Sequence, residues 1–151
     1  TYLYTKMKEL RTLLEEKGFY RIPLKKLATG HYKLIAKVNG KKGAFILDTG
    51  ASTSCIGMEH ISYFKLFNEE SETKAAGAGA INMTTEIARK NDIGIAQWNK
   101  KNIAFVLFDL SHVNEALKQA DEEPVHGILG ADLLKKGRAV IDYGRNVCYI
   151  L

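Results

Sequence analysis

The sequence predicts a single, mostly β domain with short helices. At 151 residues and 46% hydrophobic content, the chain can bury one sizeable core, and its length favours one domain. Apolar and polar residues alternate over residues 31–38, Asn39-Gly40 is a hairpin turn sequence, and residues 44–47 are an apolar return strand. This hairpin would bring Asp48 to the end of a sheet.

Three segments have helical character. Apolar residues recur at helical spacing over residues 6–17, and Gly18 stands where such a helix would end. We also expect helices at residues 58–67 and 111–119, the second with Ser111 as its N-terminal cap. The first of the three is an extra N-terminal helix, which we expect to pack against the rest of the domain.

The C-terminal part of the chain is predicted to be mainly strands. The β-prone segments are residues 103–108, 138–143 and 147–151, and a turn at 144–146 separates the last two. No repeat or low-complexity linker interrupts this pattern.

One segment carries candidate chemistry. The apolar run that ends at Leu47 is followed by Asp48, Thr49, Gly50 and Ala51, and Asp-Thr-Gly occurs once in the chain. A carboxylate in this position loses part of its hydration at the end of a buried strand, so its chemistry can be tuned. A Thr hydroxyl can bond to a neighbouring backbone, and Gly permits a sharp turn. The same three residues can also be an ordinary turn.

A second segment decides between these readings. Residues 126–134 read HGILGADLL, and residues 138–143 read RAVIDY. With the Asp-Thr-Gly-Ala loop, this order of motifs resembles the retropepsin-like aspartic proteases, the single-domain relatives of pepsin, over about residues 31–151. In that family a later pair of hydrophobic residues and a Gly brace the loop, and a short helix follows. The resemblance assigns the brace to Ile128, Leu129 and Gly130.

The resemblance implies a closed, β-barrel-like acid-protease fold for residues 31–151, with residues 1–30 as an N-terminal helical extension. It implies that Asp48 is the catalytic carboxylate, that the Thr49 hydroxyl bonds across a dimer axis, and that the Gly50 amide holds the paired carboxyls nearly coplanar. Ala51 lacks the hydroxyl that pepsin-like loops often carry, which favours a less acidic pH optimum than that of pepsin.

The predicted enzyme is a homodimer. The reaction needs two carboxyls that share a proton and activate a water, whereas this chain has one Asp-Thr-Gly loop and no room for two pepsin-like lobes. A two-fold axis between two copies of Asp48 would supply the pair. The apolar residues 147–151 are predicted to be an interface strand between the copies.

The small residues Gly77, Ala78, Gly79 and Ala80 are predicted to be the tip of a flap, the mobile hairpin that closes over substrate in this family. A phosphate-binding loop is the alternative. The third glycine of a dinucleotide-binding motif and the Gly-Lys-Ser/Thr of a P-loop are both missing, so the flap is favoured.

Composition excludes several other classes. The net charge of +5 is carried by scattered lysine pairs, which favours a solvated surface over nucleic-acid binding. The two cysteines, Cys55 and Cys148, have no metal-binding spacing and are expected to be free thiols in a reducing compartment such as the cytoplasm. No metal, organic cofactor, transmembrane segment or signal peptide is indicated.

Three functions remain open. The first is hydrolysis of peptide bonds in an extended peptide or unfolded protein by the homodimer. The second is a peptide-binding or scaffolding domain that keeps the fold and cleaves nothing. The third is a protease domain that was excised from a longer polyprotein and processes it.

Overall fold

The computed structural model describes the backbone of residues 2–75 and 83–151, and the side chains of residues 9–69 and 86–151. The fold is mostly β, as predicted. The strands are β1 (Tyr20–Pro23), β2 (Lys25–Lys26), β3 (Tyr32–Val38), β4 (Lys41–Leu47), β5 (Cys55–Gly57), β6 (Asn68–Ala75), β7 (Met83–Ile95), β8 (Trp98–Phe108), β9 (Gly127–Leu129), β10 (Val140–Asp142) and β11 (Val147–Ile150). The α-helices are α1 (Tyr2–Glu16), α2 (Ser111–Gln119) and α3 (Ala131–Lys136).

Six strands form a closed barrel. The larger sheet has the order β2-β3-β4-β9-β5-β8-β7-β6, and an additional pairing of β3 with β7 joins the strands from β3 to β7 into a ring. Strands β2 and β6 extend the sheet beyond this ring. The predicted closed, barrel-like fold is therefore confirmed.

The hairpin of β3 and β4 forms as the sequence predicts. Leu34, Ala36 and Val38 are buried along one face of β3. Asn39 and Gly40 have φ values of 51° and 82°, the left-handed conformation that a tight hairpin turn requires. Strand β4 begins directly after this turn, so it is longer than the predicted residues 44–47.

The core lies inside the barrel, and a smaller apolar cluster lies outside it. Phe45, Phe64 and Phe105 are fully buried in the main core. On the other face of β4, Ile46 packs with Leu117 of α2. Strand β4 is therefore covered on both faces, which gives its carboxyl end, where Asp48 follows, a rigid support.

The second sheet has three strands in the order β1-β11-β10. Helix α1 packs on it through Leu14, which contacts the cluster of Val147 and Tyr149. Strand β11 is paired on both edges within the same chain, with β1 and with β10. The prediction that residues 147–151 offer an interface strand is therefore wrong, because no free edge of β11 remains. The division of the chain at residue 30 stays a prediction.

Three local predictions need correction. Residues 58–67 form only a 3-10 helix, Met58–His60, followed by turns, because the Phe64 side chain turns into the core and Lys65 has a positive φ of 55°. The predicted strand at 138–143 is shorter, since a 3-10 helix, Tyr143–Arg145, follows β10.

The cap of α2 also differs from the prediction. Ser111 is the first residue of the helix, and its backbone N–H and hydroxyl both donate to Oδ1 of Asp109. These hydrogen bonds lower the pKa of Asp109. The carboxylate that caps the helix therefore lies two residues before the predicted cap.

Candidate active site

Asp48 stands at the point where β4 leaves the barrel. Strand β9 runs parallel to β4, with Ile46 opposite Ile128 and Leu47 opposite Leu129. The Asp48 N–H donates to the Leu129 carbonyl at 3.0 Å, which continues the ladder by one residue. The residue is half-buried at this end of the strand pair, and the hydrogen bond to its carboxylate is exposed.

The turn after Asp48 holds its carboxylate. The Gly50 N–H donates to Oδ1 of Asp48 at 2.9 Å, and the Ala51 N–H donates to the Asp48 carbonyl at 3.2 Å. Thr49 and Gly50 are exposed. Within the described side chains, Oδ2 of Asp48 accepts no hydrogen bond from the protein. The carboxylate is thus oriented by one oxygen and accessible through the other.

A buried serine links this loop to the predicted brace. Ser54 is 1% exposed, and its hydroxyl accepts the Gly130 N–H at 2.9 Å while it donates to Oδ1 of Asp132 at 2.7 Å. The Ser54 N–H donates to the same oxygen at 3.0 Å. A further bond joins the Ala131 N–H to the Ala51 carbonyl at 2.7 Å. Ile128, Leu129 and Gly130 thus lie beside the Asp48 loop, and their role as its brace stays a prediction.

Ser54 and Asp132 were missed by the sequence analysis. The sequence analysis gave Asp132 no role because no Thr-Gly follows it. The available signal was its position two residues after Gly130, at the start of the predicted helix, where a carboxylate can accept backbone N–H groups. Nothing in the local pattern of Ser54 pointed to its role.

Close backbone approach explains the glycines of this segment. A Cβ at position 130 would lie 2.5 Å from the Ala51 carbonyl oxygen, and one at position 127 would lie 2.3 Å from the Cys55 carbonyl oxygen. Both distances are far shorter than a van der Waals contact, and the two carbonyl oxygens belong to the backbone, which cannot turn aside as a side chain can. Any other residue at Gly130 would push the Asp48 loop away from the end of β9, and any other residue at Gly127 would push β5 and β9 apart.

Cys55 lies beside the site without a nucleophile's properties. Burial raises the pKa of its thiol to about 11, a hydrogen bond with the Ile128 backbone opposes the rise, and the charges of Asp132 and Asp48 add to it. A thiol that stays protonated is a poor nucleophile. Burial likewise raises the pKa of Cys148 to about 11, and both cysteines are free, as predicted.

A cluster of rings supports the other end of β9. Nδ1 of His126 accepts the Ala44 N–H at 3.0 Å, which requires an unprotonated nitrogen. The His126 ring lies 4.6 Å from His60 and stacks on Tyr63 at 5.7 Å between centroids. Burial lowers the pKa of His126, His60 lowers it further, and Glu59 opposes the shift. The folded protein therefore favours the neutral form of the His126 imidazole.

The predicted flap tip, Gly77 to Ala80, lies outside the described residues. The hairpin that would carry it is present, since β6 and β7 are antiparallel, with Lys74 opposite Thr84 and Ala75 opposite Met83.

Two searches of the described part of the chain bear on other kinds of site. No group of three His, Cys, Asp or Glu side chains there is placed to hold a metal ion. Within the same residues, no helix combines the length and the apolar character needed to cross a membrane.

Ser54→Ala should weaken the link between the loop and Gly130. The Gly130 N–H loses its acceptor in a buried place, so we expect the free energy of unfolding to fall by about 1–3 kcal/mol. Urea unfolding measures this loss. Ser62→Ala, at an exposed position, is the matched control and should stay within about 0.5 kcal/mol of wild type. Equal stability of the two variants would contradict the assigned role.

The pH dependence of stability follows from His126. Because the folded-state pKa lies below the ordinary value of 6.5, the neutral ring stabilises the folded protein above that pH, and the contribution is lost as pH falls through the lowered pKa. Urea unfolding at about pH 7.5 and about pH 5 should therefore show a loss of stability in acid that His126→Asn reduces. The exposed His112→Asn should leave that loss unchanged, and an equal effect of both substitutions would refute the assignment.

Comparison with known proteins identifies the family. The aspartyl protease family model matches residues 34–133. A search among curated protein sequences finds no match.

Solved structures share the fold. A retropepsin-like aspartic protease from Rickettsia conorii aligns with a TM-score of 0.59 and 22% identity, over 87% of this chain and 89% of that one. The EIAV protease, solved with an inhibitor, aligns with a TM-score of 0.54 and 24% identity, over 73% and 90% of the two chains. The retroviral protease-like domain of Ddi1 from Leishmania major aligns with a TM-score of 0.54 and 15% identity, over 78% and 86%. The chain belongs to the aspartyl protease family and has the retropepsin-like fold.

Proposed function

We propose that this protein is a homodimeric aspartic endopeptidase whose catalytic pair is Asp48 from each of two copies. One carboxylate takes a proton from a water, the water oxygen attacks the scissile carbonyl carbon, and the other, protonated carboxyl donates to the carbonyl oxygen. Collapse of the tetrahedral intermediate breaks the C–N bond as a proton moves to the leaving nitrogen. No covalent bond to the enzyme forms.

The position of the Asp48 carboxylate carries this proposal. Asp48 is a half-buried residue at the end of a strand that is packed on both faces. One oxygen of its carboxylate accepts the Gly50 N–H at 2.9 Å, and its loop is hydrogen-bonded to Gly130. A carboxylate held this firmly can meet a second carboxyl and a water at fixed geometry. A domain that only binds peptide has no need of such a group.

The second carboxyl must come from another copy. The acid in the same network, Asp132, accepts three hydrogen bonds at Oδ1, from the Ser54 N–H, the Ser54 hydroxyl and the Leu133 N–H. It is therefore engaged in holding the loop rather than in activating water. Because the two-fold axis relates identical residues, a pair of Asp48 side chains is the arrangement that symmetry permits.

The free edge of β10 is the surface we propose for dimerisation. Strand β10 ends the three-stranded sheet, and Tyr143 directly after it is 59% exposed. The Tyr143 ring lies 5.6 Å from Tyr32, which is opposite Leu47 in the sheet, one residue before Asp48. Antiparallel pairing of β10 with its own copy would bury this edge close to the catalytic loops.

The substrate we propose is an extended peptide or unfolded protein segment, bound between the two copies. The hairpin of β6 and β7 would carry the flap, with Gly77, Ala78, Gly79 and Ala80 as its tip.

Asp48→Asn should abolish cleavage. An unfolded protein is incubated with wild type and with the variant across acidic to neutral pH, and mass spectrometry identifies the products. We expect a loss of at least about 10³-fold, because an amide cannot accept the proton from water. Asp121→Asn, at an exposed turn, is the matched control and should cleave like wild type. Cleavage that survives in Asp48→Asn would refute the mechanism. If the wild-type protein cleaves nothing at any pH, a peptide-binding domain would be favoured instead.

Cysteine cross-linking tests the dimer edge. In an antiparallel pair of β10 strands centred on Ile141, that residue faces its own copy at a Cα separation of about 4.5–5.5 Å, within the reach of a disulfide. Because Ile141 lies opposite the free Cys148 on β11, this variant and its control are both made in a Cys148→Ala background. Ile141→Cys should then give a covalent dimer on mild oxidation. Arg21→Cys, on the edge strand β1 at the other side of the sheet, is the control and should stay monomeric on a denaturing gel. The opposite result would place the interface at β1.

A further inference from the structure

A basic groove lies at the end of the barrel away from Asp48. The hairpins β3–β4 and β7–β8 enclose a volume of about 680 Å³. Four lysines line it: Lys37, Lys42, Lys100 and Lys101. Asp92 is the one carboxylate among the residues of the lining. Within the described side chains, none of the four lysines forms an ion pair.

The walls of the groove are rigid. Asn39, at the tip of the β3–β4 hairpin, donates from Nδ2 to the Phe64 carbonyl at 2.8 Å and to Oδ1 of the buried Asn91 at 3.0 Å. Its own Oδ1 accepts the Asp92 N–H at 3.0 Å, and its N–H donates to the Asp92 carbonyl at 2.9 Å. The three bonds to Asn91 and Asp92 fix one hairpin against the other, so the lysines are displayed on a preorganised frame.

The lining indicates what the groove can accept. It contains Ile35, which is 44% exposed, but no aromatic side chain on which a nucleic-acid base could stack. It contains no arginine, the residue suited to bidentate binding of phosphate. Lysine ammonium groups spread along an open groove, with an apolar contact between them, match several carboxylates on a flexible chain better than one compact anion.

We propose that this groove is a docking site for an acidic peptide segment of a protein partner, separate from the cleavage site. Strand β4 runs from the groove at Lys42 to Asp48, about 20 Å at 3.3 Å per residue. A segment bound in the groove therefore leaves the Asp48 loop free. The proposal goes beyond the protease activity and stands without it.

Binding of a short fluorescent peptide with alternating Glu and Leu tests the proposal, read by anisotropy at low salt. The protein carries Asp48→Asn, so that binding is measured without cleavage. Lys37→Glu with Lys100→Glu reverses charge on both walls of the groove. Lys25→Glu with Lys26→Glu, on β2 outside the groove, changes the net charge equally and is the matched control. A milder pair, Lys42→Gln with Lys101→Gln, serves if charge reversal disturbs folding as judged by circular dichroism.

We expect the Glu peptide to bind at least about tenfold more tightly than a peptide in which Gln replaces each Glu. Added salt should weaken binding of the Glu peptide. The groove variants should lose this preference and the β2 control should keep it. Equal losses in groove and control variants would overturn the proposal, because overall charge alone would then explain binding. Tighter binding of a single-stranded oligonucleotide or of anionic vesicles than of the Glu peptide would also overturn it.

Discussion

The hydrogen bonds of the Ser54 hydroxyl are the contact on which the rest of the site depends. One hydroxyl accepts from the Gly130 backbone and donates to Asp132, so it joins the loop after β4 to the end of β9. The backbones approach so closely here that Gly130 has no space for a side chain. The carboxylate of Asp48 keeps its place because its loop cannot move without breaking this buried contact.

The three-stranded sheet limits which strand edges are open to the dimer we propose. Strand β11 has a neighbour on each edge, supplied by β1 from the N-terminal part and by β10. Both neighbours of β11 therefore come from the same chain, whereas the sequence had suggested that a second copy would pair with this strand. Helix α1 covers one face through Leu14, Val147 and Tyr149. Among the described residues, β1 and β10 are the edges of this sheet, and β10 is the one we propose for association because Tyr143 directly after it contacts Tyr32 near the Asp48 loop.

The sequence predicted the elements whose signals are local. The alternation in β3, the Asn39-Gly40 turn and the Asp-Thr-Gly loop each depend on neighbouring residues, and all were recognisable. The hydrogen bonds of Ser54 to Gly130 and Asp132 join residues more than 70 positions apart, so no periodic pattern in the sequence predicts them. The same reason explains the errors at residues 58–67 and 147–151. Core packing of Phe64 outweighed helical propensity at 58–67, whereas 147–150 forms the predicted strand and only its pairing with the distant β1 could not be seen locally.

The most direct test of a carboxyl pair shared between two copies is a subunit-mixing experiment. Wild-type protein at fixed concentration is equilibrated with increasing Asp48→Asn, and peptide cleavage is followed. Random pairing at about a ninefold excess of the variant leaves about a tenth of the wild-type subunits with a wild-type partner, so activity should fall to about that level. Cleavage that stays constant as Asp48→Asn is added would show that one chain acts alone, and would contradict the account.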